Sequence, residues 1–524
     1  MSTFGKRSPR SIVALKNLAF SYANVAFALI SGILLVPVYF KYFDASIYGS
    51  FLAVFNIINI VNLSETGLSF TTTRLLAEAD AQQNESKFHL IYRTAQATAS
   101  IYAAITVLFG VLVINLVPYL TGTSGQQGEK LQLAFAIGII ALVVSIFNSI
   151  LSSAAQAKHL PSQCGAANLI SSICGIFTTL AGLSAGLQVL AIACGYLAKN
   201  LTSLLTLFLL SKKTTRQSLQ TASGSKGGLK TVSIKGLFLT SLPVAFNSTS
   251  KGLVSNLQLT LIIQLADQLT AAKFALSSRI FLFVSTVVAP VGSSVFSTLS
   301  QLKTENAANR LNLHLRHLLE LVSFTTASLL ATAFVFNEAF LNLLIGPGKY
   351  VGNEVALLIC CATYFNSRIG FLSVSMIALG GSRKTAIAEQ IANCAKILCI
   401  WLMVPVLNYA AIPASEAFIG LLTTIIAIRW LAIHTLKLGP KESLRFALTG
   451  ISAVVLCVIQ TWAWVKYIAP PTTWFGLAVS SATFITVNTI SATAVSSNLR
   501  AAILAIISVS RLQHLTAKLN KPGA

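Results

Sequence analysis

The chain has 524 residues, of which 55% are hydrophobic and only 10% are charged. Soluble domains carry about 25% charged residues, so this composition excludes a water-soluble protein and indicates a polytopic membrane protein. The net charge of +23 comes from 37 lysines and arginines against 14 acids. On a soluble protein that excess would indicate nucleic-acid binding, but here the positions of the basic residues explain it without a nucleic-acid partner.

Apolar stretches of about 20 residues, the length that crosses a bilayer, recur along the whole chain. The sequence therefore predicts an all-α membrane protein with about 14 transmembrane helices, and an even number places both termini on one side. The predicted spans are 17–40, 49–75, 94–120, 131–157, 163–186, 187–210, 237–266, 274–299, 318–345, 353–379, 386–409, 413–436, 447–467 and 474–497.

The connections between these spans differ strongly in basic residues. With residues at the last turn of a span counted with the adjoining connection, 26 of the 37 lysines and arginines lie in the two tails and the even-to-odd connections, and six lie deeper within spans. Only five lie on the opposite side, namely Lys41, Lys130, Lys273, Lys349 and Lys466. Because basic loops stay in the cytoplasm, both termini are predicted to be cytoplasmic.

The longest connection, residues 211–236, is rich in Ser, Thr, Gly and Lys and contains no acid. Such a segment is typical of a flexible linker. We therefore predict an N-terminal lobe of six spans over 1–210, a second six-span lobe over 237–437, and two appended spans with a cytoplasmic tail over 438–524. Two lobes in the same orientation favour a parallel repeat with the substrate path between them.

No motif for catalysis or metal binding is visible. The sequence has no GxxxxGK[ST], HExxH or GxSxG pattern, and its eight cysteines lie in apolar runs without zinc-ligand spacing. The extracytoplasmic connections are short, whereas a membrane polymerase or glycosyltransferase needs a larger external loop. We predict a transporter that is not an enzyme and uses neither a cofactor nor a metal.

Basic residues inside the spans are the main indication of function. Lys251 lies midway along the seventh span, and Arg279 lies near the start of the eighth. A cation at the bilayer centre costs about 3 kcal/mol on insertion scales, so it normally faces a wet or protein-lined interior. Two cations on adjacent helices predict a cationic cavity and an anionic passenger. The alternative is that they snorkel to the head groups or pair with an acid.

Four more spans carry a single basic residue each, namely Arg368, Lys199, Arg429 and Lys396. Arg368 follows Asn366 and Ser367, a polar patch that we predict to line the cavity. Lys199 lies mid-span, where substrate binding and structural pairing are equally open. Arg429 lies near a cytoplasmic end, and we interpret it as a snorkelling residue.

Lys396 shares a polar helix face with Asn393 and with Glu389, seven residues earlier. The face predicts a cavity-lining cation, and the alternative is an internal ion pair with Glu389 or Glu65. Glu65 lies at mid-depth in the second span, where a carboxyl group is a candidate for coupling to protons or sodium. That it only balances Lys251 or another cation is an equal alternative. Glu389 is predicted to act in gating or in a salt bridge.

Several short motifs lie in the spans and in the turns between them. They are Tyr48-Gly49, Glu65-Thr66-Gly67-Leu68, Thr73-Arg74, Leu344-Ile345-Gly346 with Tyr350, and Leu379-Gly380-Gly381-Ser382-Arg383. With these motifs the chain resembles the Wzx-type oligosaccharide flippases of the multidrug/oligosaccharidyl-lipid/polysaccharide exporter superfamily. The resemblance implies two six-helix lobes in a V-shaped arrangement plus two C-terminal helices.

The resemblance also implies a function in the bacterial inner membrane. The cargo would be an undecaprenyl-pyrophosphate-linked oligosaccharide, a repeat unit of O-antigen lipopolysaccharide, capsule or exopolysaccharide. It would cross from the cytoplasmic to the periplasmic leaflet, and a polymerase and a chain-length regulator of the same process would be partners. Coupling to protons or sodium would make the protein an antiporter.

Other functions stay open at this stage. A cation-coupled multidrug exporter is expected to have an acidic or apolar cavity, whereas this one is basic. A non-transporting scaffold of a glycan-assembly complex would not require cations in the membrane. The related peptidoglycan lipid flippases usually carry arginines in their first two spans, whereas here the first span is uncharged and the second contains Glu65.

Overall fold

A computed structural model describes most of the chain. The described residues are 31–158, 161–221, 234–304, 308–379, 381–436 and 438–495, together with Asn24 and Phe27. These residues are helical almost throughout and include no strand. Ten helices among them are long and apolar enough to cross a membrane, and Gly252–Leu265 and Val454–Tyr467 are shorter apolar helices. The predicted all-α, multi-pass membrane architecture is confirmed.

The helices follow the predicted spans in order. They are α1 (residues 31–39), α2 (Ala45–Ala81), α3 (Glu85–Ile114), α4 (Val117–Thr121), α5 (Gly125–Ala157), α6 (Pro161–Ser184), α7 (Val189–Thr221), α8 (Ile234–Leu265), α9 (Gln268–Thr304), α10 (Ala308–Ile345), α11 (Asn353–Ala378), α12 (Ser382–Leu407), α13 (Ala411–Trp430), α14 (Pro440–Ala447), α15 (Ile451–Tyr467) and α16 (Trp474–Val495). A 3₁₀ turn at Asn408–Ala410 joins α12 to α13, and a π-helical turn at Leu431–Thr435 ends α13.

Several helices are longer than the predicted spans. Helices α2 and α9 have 37 residues each and α10 has 38. At 1.5 Å per residue these helices are about 55 Å long, whereas the hydrocarbon core is about 30 Å thick. These helices therefore extend beyond the hydrocarbon core into the polar segments that flank the spans. Beyond the predicted end of the sixth span, for example, α7 continues to Thr221, inside the predicted linker, and residues 222–233 lie outside the described residues.

The chain divides into two compact units, Met1–Ala272 and Lys273–Ala524. In the first unit α2 packs against α5 and α8, and α7 packs against α5 and α6. Phe51, Ile58 and Phe135 belong to the buried core there. Thus α8, which we predicted to begin the second lobe, packs on α2 within the first unit. The six-plus-six division stays a prediction.

The Tyr48-Gly49 motif lies at a close helix contact in the first unit. Tyr48 is buried, and Gly49 faces the Gln268 carbonyl and the Ala272 amide in the first turns of α9. A Cβ atom on Gly49 would lie 3.0 Å from the Ala272 nitrogen. The motif therefore serves packing between helices.

In the second unit α10 contacts α11, α15 and α16, and α13 packs against α11 and α12. The rings of Phe336, Trp464 and Phe484 meet edge to face, with centroids 5.1 to 6.1 Å apart. This aromatic cluster fixes the two appended spans, α15 and α16, to α10. The short helix α14 precedes them and was not predicted.

Candidate functional site

Glu65 lies in a seam of polar side chains between α2 and α5. Its side chain is 7% exposed, and the Ser149 hydroxyl donates a hydrogen bond to its carboxylate. One turn further along the same two helices, the hydroxyl oxygens of Ser69 and Ser153 are 3.2 Å apart. The equal four-residue spacing on both helices makes this a continuous polar strip in an otherwise apolar core.

Two further hydrogen bonds connect this region to other helices of the first unit. The hydroxyl oxygens of Tyr102 and Ser241 are 3.1 Å apart, which joins α3 to α8, and Tyr102 lies within electrostatic range of Glu65. Asn148 Nδ2 donates to Ser203 Oγ over 2.9 Å, while Asn148 Oδ1 is buried and has no hydrogen-bond partner among the described residues. The Glu65 carboxylate can bind a proton, and carboxylate and hydroxyl oxygens are the type of ligand that hard cations prefer.

Lys199 and Lys251 are the two predicted substrate-binding cations that lie in the first unit. Lys199 lies exposed on α7, where that helix crosses α6 at Gly175. Its neighbour Asn200 is buried, and its amide donates to the Tyr196 carbonyl one turn earlier. Lys251 lies on α8, but its side chain lies outside the described residues. The substrate-binding roles of both lysines stay predictions.

Asn366, Ser367 and Arg368 form a polar branch point in the middle of α11. Asn366 Oδ1 lies 3.4 Å from Lys396 Nζ on α12, and the hydroxyl oxygens of Ser367 and Ser285 on α9 are 3.4 Å apart. Arg368 faces the connection between α14 and α15. Consecutive helical residues point about 100° apart, so three adjacent side chains reach three different elements.

Arg368 is 5% exposed and held by oxygen acceptors of the protein. Its Nη1 donates to Tyr364 Oη, and its Nη2 donates to the Thr449 carbonyl, each over 3.0 Å. Its Nε is buried without a partner among the described residues. The geometry assigns Arg368 a structural contact, and its predicted role in substrate binding stays a prediction.

Arg279 on α9 and Glu389 on α12 are both half-buried, and Lys396 lies seven residues beyond Glu389. Lys396 is also half-buried, and its ammonium group donates a hydrogen bond to Asn366 on α11. The roles of Arg279 and Lys396 in substrate binding, and of Glu389 in gating, stay predictions. The chemistry that these groups offer is the binding of an anion by cations in a partly buried environment.

Two buried acids were missed by the sequence analysis. Glu320 on α10 is 6% exposed and Glu416 on α13 is 9% exposed. Both could have been identified from the sequence, because Glu320 lies within the predicted span 318–345 and Glu416 within the predicted span 413–436. No group of three or more His, Cys, Asp or Glu side chains in the described part of the chain could hold a metal ion.

Tyr350, part of the motif before α11, lies in the connection between α10 and α11. Its hydroxyl donates to Asn353 Oδ1 over 3.0 Å. Burial raises the pKa of Tyr350, and the charge of Glu338 raises it further. The phenol therefore stays protonated at physiological pH and keeps this hydrogen bond at the start of α11.

The fold defines a class, that of the all-α multi-pass membrane proteins, with ten helices in the described part of the chain that are long and apolar enough to cross a membrane. No protein-family model and no curated protein matches the chain. The lipid II flippase MurJ in an inward closed conformation is similar over 90% of this chain and 98% of its own, with a TM-score of 0.66 and 13% identity.

A multidrug resistance transporter of the MATE family, MOP superfamily, in an inward-facing conformation is similar over 87% of this chain and 100% of its own, with a TM-score of 0.62 and 11% identity. A P26A mutant of a MATE protein has a TM-score of 0.55 at 14% identity, over 81% of this chain and 95% of its own. At these identities the likeness shows a shared fold. The chain has the fold of MurJ and the MATE transporters.

Proposed function

We propose that the protein is a flippase that moves an anionic lipid-linked oligosaccharide across the bacterial inner membrane. The observation that carries the proposal is the set of basic residues within membrane-spanning helices, on a fold that the lipid II flippase MurJ also has. A polyprenyl pyrophosphate is both strongly anionic and anchored in lipid. A basic residue at membrane depth normally faces an anion or water, because lipid tails cannot stabilise its charge. The basic residues of these spans therefore match the anionic head group of such a lipid.

The proposed cargo is an undecaprenyl-pyrophosphate-linked repeat unit of O-antigen, capsule or exopolysaccharide. Lys396, Arg279, Lys251 and Lys199 would bind the pyrophosphate through charge-assisted hydrogen bonds that replace its lost water. The polyprenyl tail would stay in the bilayer. Two helical lobes would then rock so that the head group reaches the periplasmic side.

Glu65 is the proposed coupling residue. Its carboxylate accepts a hydrogen bond from Ser149 and is buried within the first unit. On protonation a carboxyl group becomes a donor as well as an acceptor, so its partners must rearrange. A proton or sodium gradient acting at Glu65 would drive that rearrangement, and Glu389 would act in gating.

The test is flipping of a fluorescent undecaprenyl-pyrophosphate oligosaccharide in proteoliposomes. Arg279→Ala and Lys396→Ala should each slow flipping severely while the protein remains in the membrane, since losing a charge eases insertion. Arg429→Ala is the matched control, because Arg429 is an exposed span residue outside the proposed site. Equal flipping by all three variants and the unaltered protein would refute the role of the cations.

A second candidate function is export of cationic compounds coupled to a cation. It is favoured by the shared MATE fold and by three buried acids, Glu65, Glu320 and Glu416. Under this function the same vesicles would transport a cationic dye, and Arg279→Ala would leave dye transport unchanged. A scaffold would transport neither substrate.

A further inference from the structure

An apolar groove of about 530 Å³ lies in the second unit between α10, α11 and α15. On each helix the lining residues, single or in adjacent pairs, recur at intervals of three or four residues, from Ala327 to Phe334 on α10, from Leu357 to Phe365 on α11 and from Val454 to Lys466 on α15. This spacing is that of a single helix face. The groove therefore follows α15 over most of its length.

Two polar side chains of the lining are hydrogen-bonded within the protein. Thr461 Oγ1 donates to the Cys457 carbonyl over 2.8 Å, and Tyr364 Oη accepts a hydrogen bond from Arg368. Val458 and Trp462 on the lining are 62% and 60% exposed. The groove thus opens outward, toward the position of the membrane lipids, and presents hydrocarbon to whatever fills it.

One cation lines the groove, at the end of α15. Lys466 Nζ lies 4.8 Å from the ring centroid of Trp462 and 5.3 Å from that of Tyr467. Tryptophan, tyrosine and lysine at the end of a span are typical of the head-group layer of a bilayer. An apolar groove that ends at a cation in this layer matches a ligand with a hydrocarbon chain and an anionic head.

The length of the groove also fits a lipid. From Val454 to Lys466 the helix α15 rises about 18 Å. One leaflet contributes about half of a hydrocarbon core about 30 Å thick, so an acyl chain of one leaflet spans about 15 Å. A lipid chain whose head group lies at Lys466 therefore extends along the groove to Val454.

We propose that this groove binds a membrane phospholipid, with one acyl chain between α10, α11 and α15 and the phosphate on Lys466. The lipid is a resident component that fills the space between the appended helix α15 and its neighbours. This site is independent of the cargo proposed above. It uses none of the cations or acids assigned to transport.

The experiment is native mass spectrometry of the full-length protein after delipidation and reloading with 1-palmitoyl-2-oleoyl-phosphatidylglycerol. We expect one tightly retained phosphatidylglycerol per chain. Lys466→Ala should weaken its retention about fivefold, the effect of losing one cation near the membrane surface. Val458→Trp should abolish retention, because the larger side chain fills the groove.

Matched controls separate this site from general lipid adhesion. Val455 lies on the same helix, is 50% exposed and does not line the groove, so Val455→Trp should retain the lipid. Lys41→Ala removes an exposed lysine of the other unit and should also retain it. Equal retention in Lys466→Ala and Val458→Trp, or no retained phosphatidylglycerol in the unaltered protein, would overturn the proposal. A polyprenyl phosphate bound in the groove of protein taken from cells would also overturn it.

Discussion

At the scale of single residues, Arg368 shows how a buried cation can be satisfied by the protein itself. Its two terminal nitrogens reach the Tyr364 hydroxyl and the Thr449 carbonyl at the same time. A planar guanidinium can serve two acceptors in fixed directions, whereas a lysine ammonium is a point charge on a flexible stem. Arginine and lysine are therefore not equivalent at this position.

Arg368→Lys should lower the free energy of unfolding by about 2 kcal/mol, since one of the two acceptors loses a charged donor in a buried site. Thermal unfolding in detergent would measure the loss. Arg429→Lys, an exchange at an exposed position of α13, is the control and should change little. Equal stability of both variants would mean that the two hydrogen bonds of Arg368 contribute nothing.

Glu65→Gln separates the two roles left open for this acid. The amide nearly keeps the shape and hydrogen-bonding capacity of a protonated carboxyl group. If Glu65 carries the coupling proton, the variant should remain abundant and should flip its cargo slowly, without dependence on the proton gradient. Transport against pH and protein abundance are the readouts, and exposed Glu129→Gln is the control.

The alternative role of Glu65 predicts a different phenotype. If the carboxylate neutralises a buried cation, its removal breaks a buried pair at a cost of about 3–5 kcal/mol. Glu65→Gln should then be depleted from the membrane, and neutralising the partner cation, Lys251 or Lys396, should restore abundance. Normal abundance with an unchanged pH profile would exclude the coupling role.

At the scale of elements, the appended helices are joined to the second unit where α15 begins. Gly450 has φ +84°, and a Cβ atom there would lie 2.6 Å from Ser323 Cβ on α10. Arg316 Nη2 lies 3.4 Å from the Glu442 carbonyl of α14, and Arg368 donates to Thr449. Three contacts therefore position the start of α15.

Gly450→Ala should destabilise the protein for two separable reasons. The left-handed conformation costs a residue with a Cβ atom about 1–2 kcal/mol, and the contact with Ser323 adds to that cost. In Gly450→Ala combined with Ser323→Gly the contact is relieved and the conformational cost remains. We expect thermal unfolding of the double variant to lie between the unaltered protein and Gly450→Ala; a single variant as stable as the unaltered protein would contradict the argument.

The order of the elements could be predicted because the hydropathy of each span is set by the bilayer. Their ends could not, because helices such as α2 and α10 continue into polar segments where hydropathy no longer marks the helix. Helix α14 was missed because eight mixed residues are too few for a periodic signal. The turn at Gly450 depends on contact with α10, which no local pattern contains.

At the scale of the whole molecule, the orientation in the membrane rests on the distribution of basic residues. Ser124 and Glu354 are exposed and lie at connections predicted to face the periplasm, and exposed Gln82 lies at one predicted to face the cytoplasm. In a variant without the eight native cysteines, Ser124→Cys and Glu354→Cys should react with an impermeant maleimide on intact cells. Gln82→Cys should react only after lysis, and the reverse pattern would overturn the orientation.

The candidate site was predicted in part. A charged or amide side chain in an apolar span is visible in the sequence, which is why Glu65, Asn366 and Arg368 were selected. Their partners were not visible, because Ser149 and Thr449 are ordinary residues until folding brings them into contact. Residue type alone therefore indicates that an interior position is polar, and packing decides what the polar group binds.

The branch point on α11 also bears on how such a chain can change over generations. Insertion or loss of one residue before Asn366 would turn the following helix by about 100° and exchange the partners of all three polar side chains. Substitutions on α9 or α12 would alter one partner at a time. A change in the length of α11 is therefore expected to disturb more of the structure than a point substitution on a neighbouring helix.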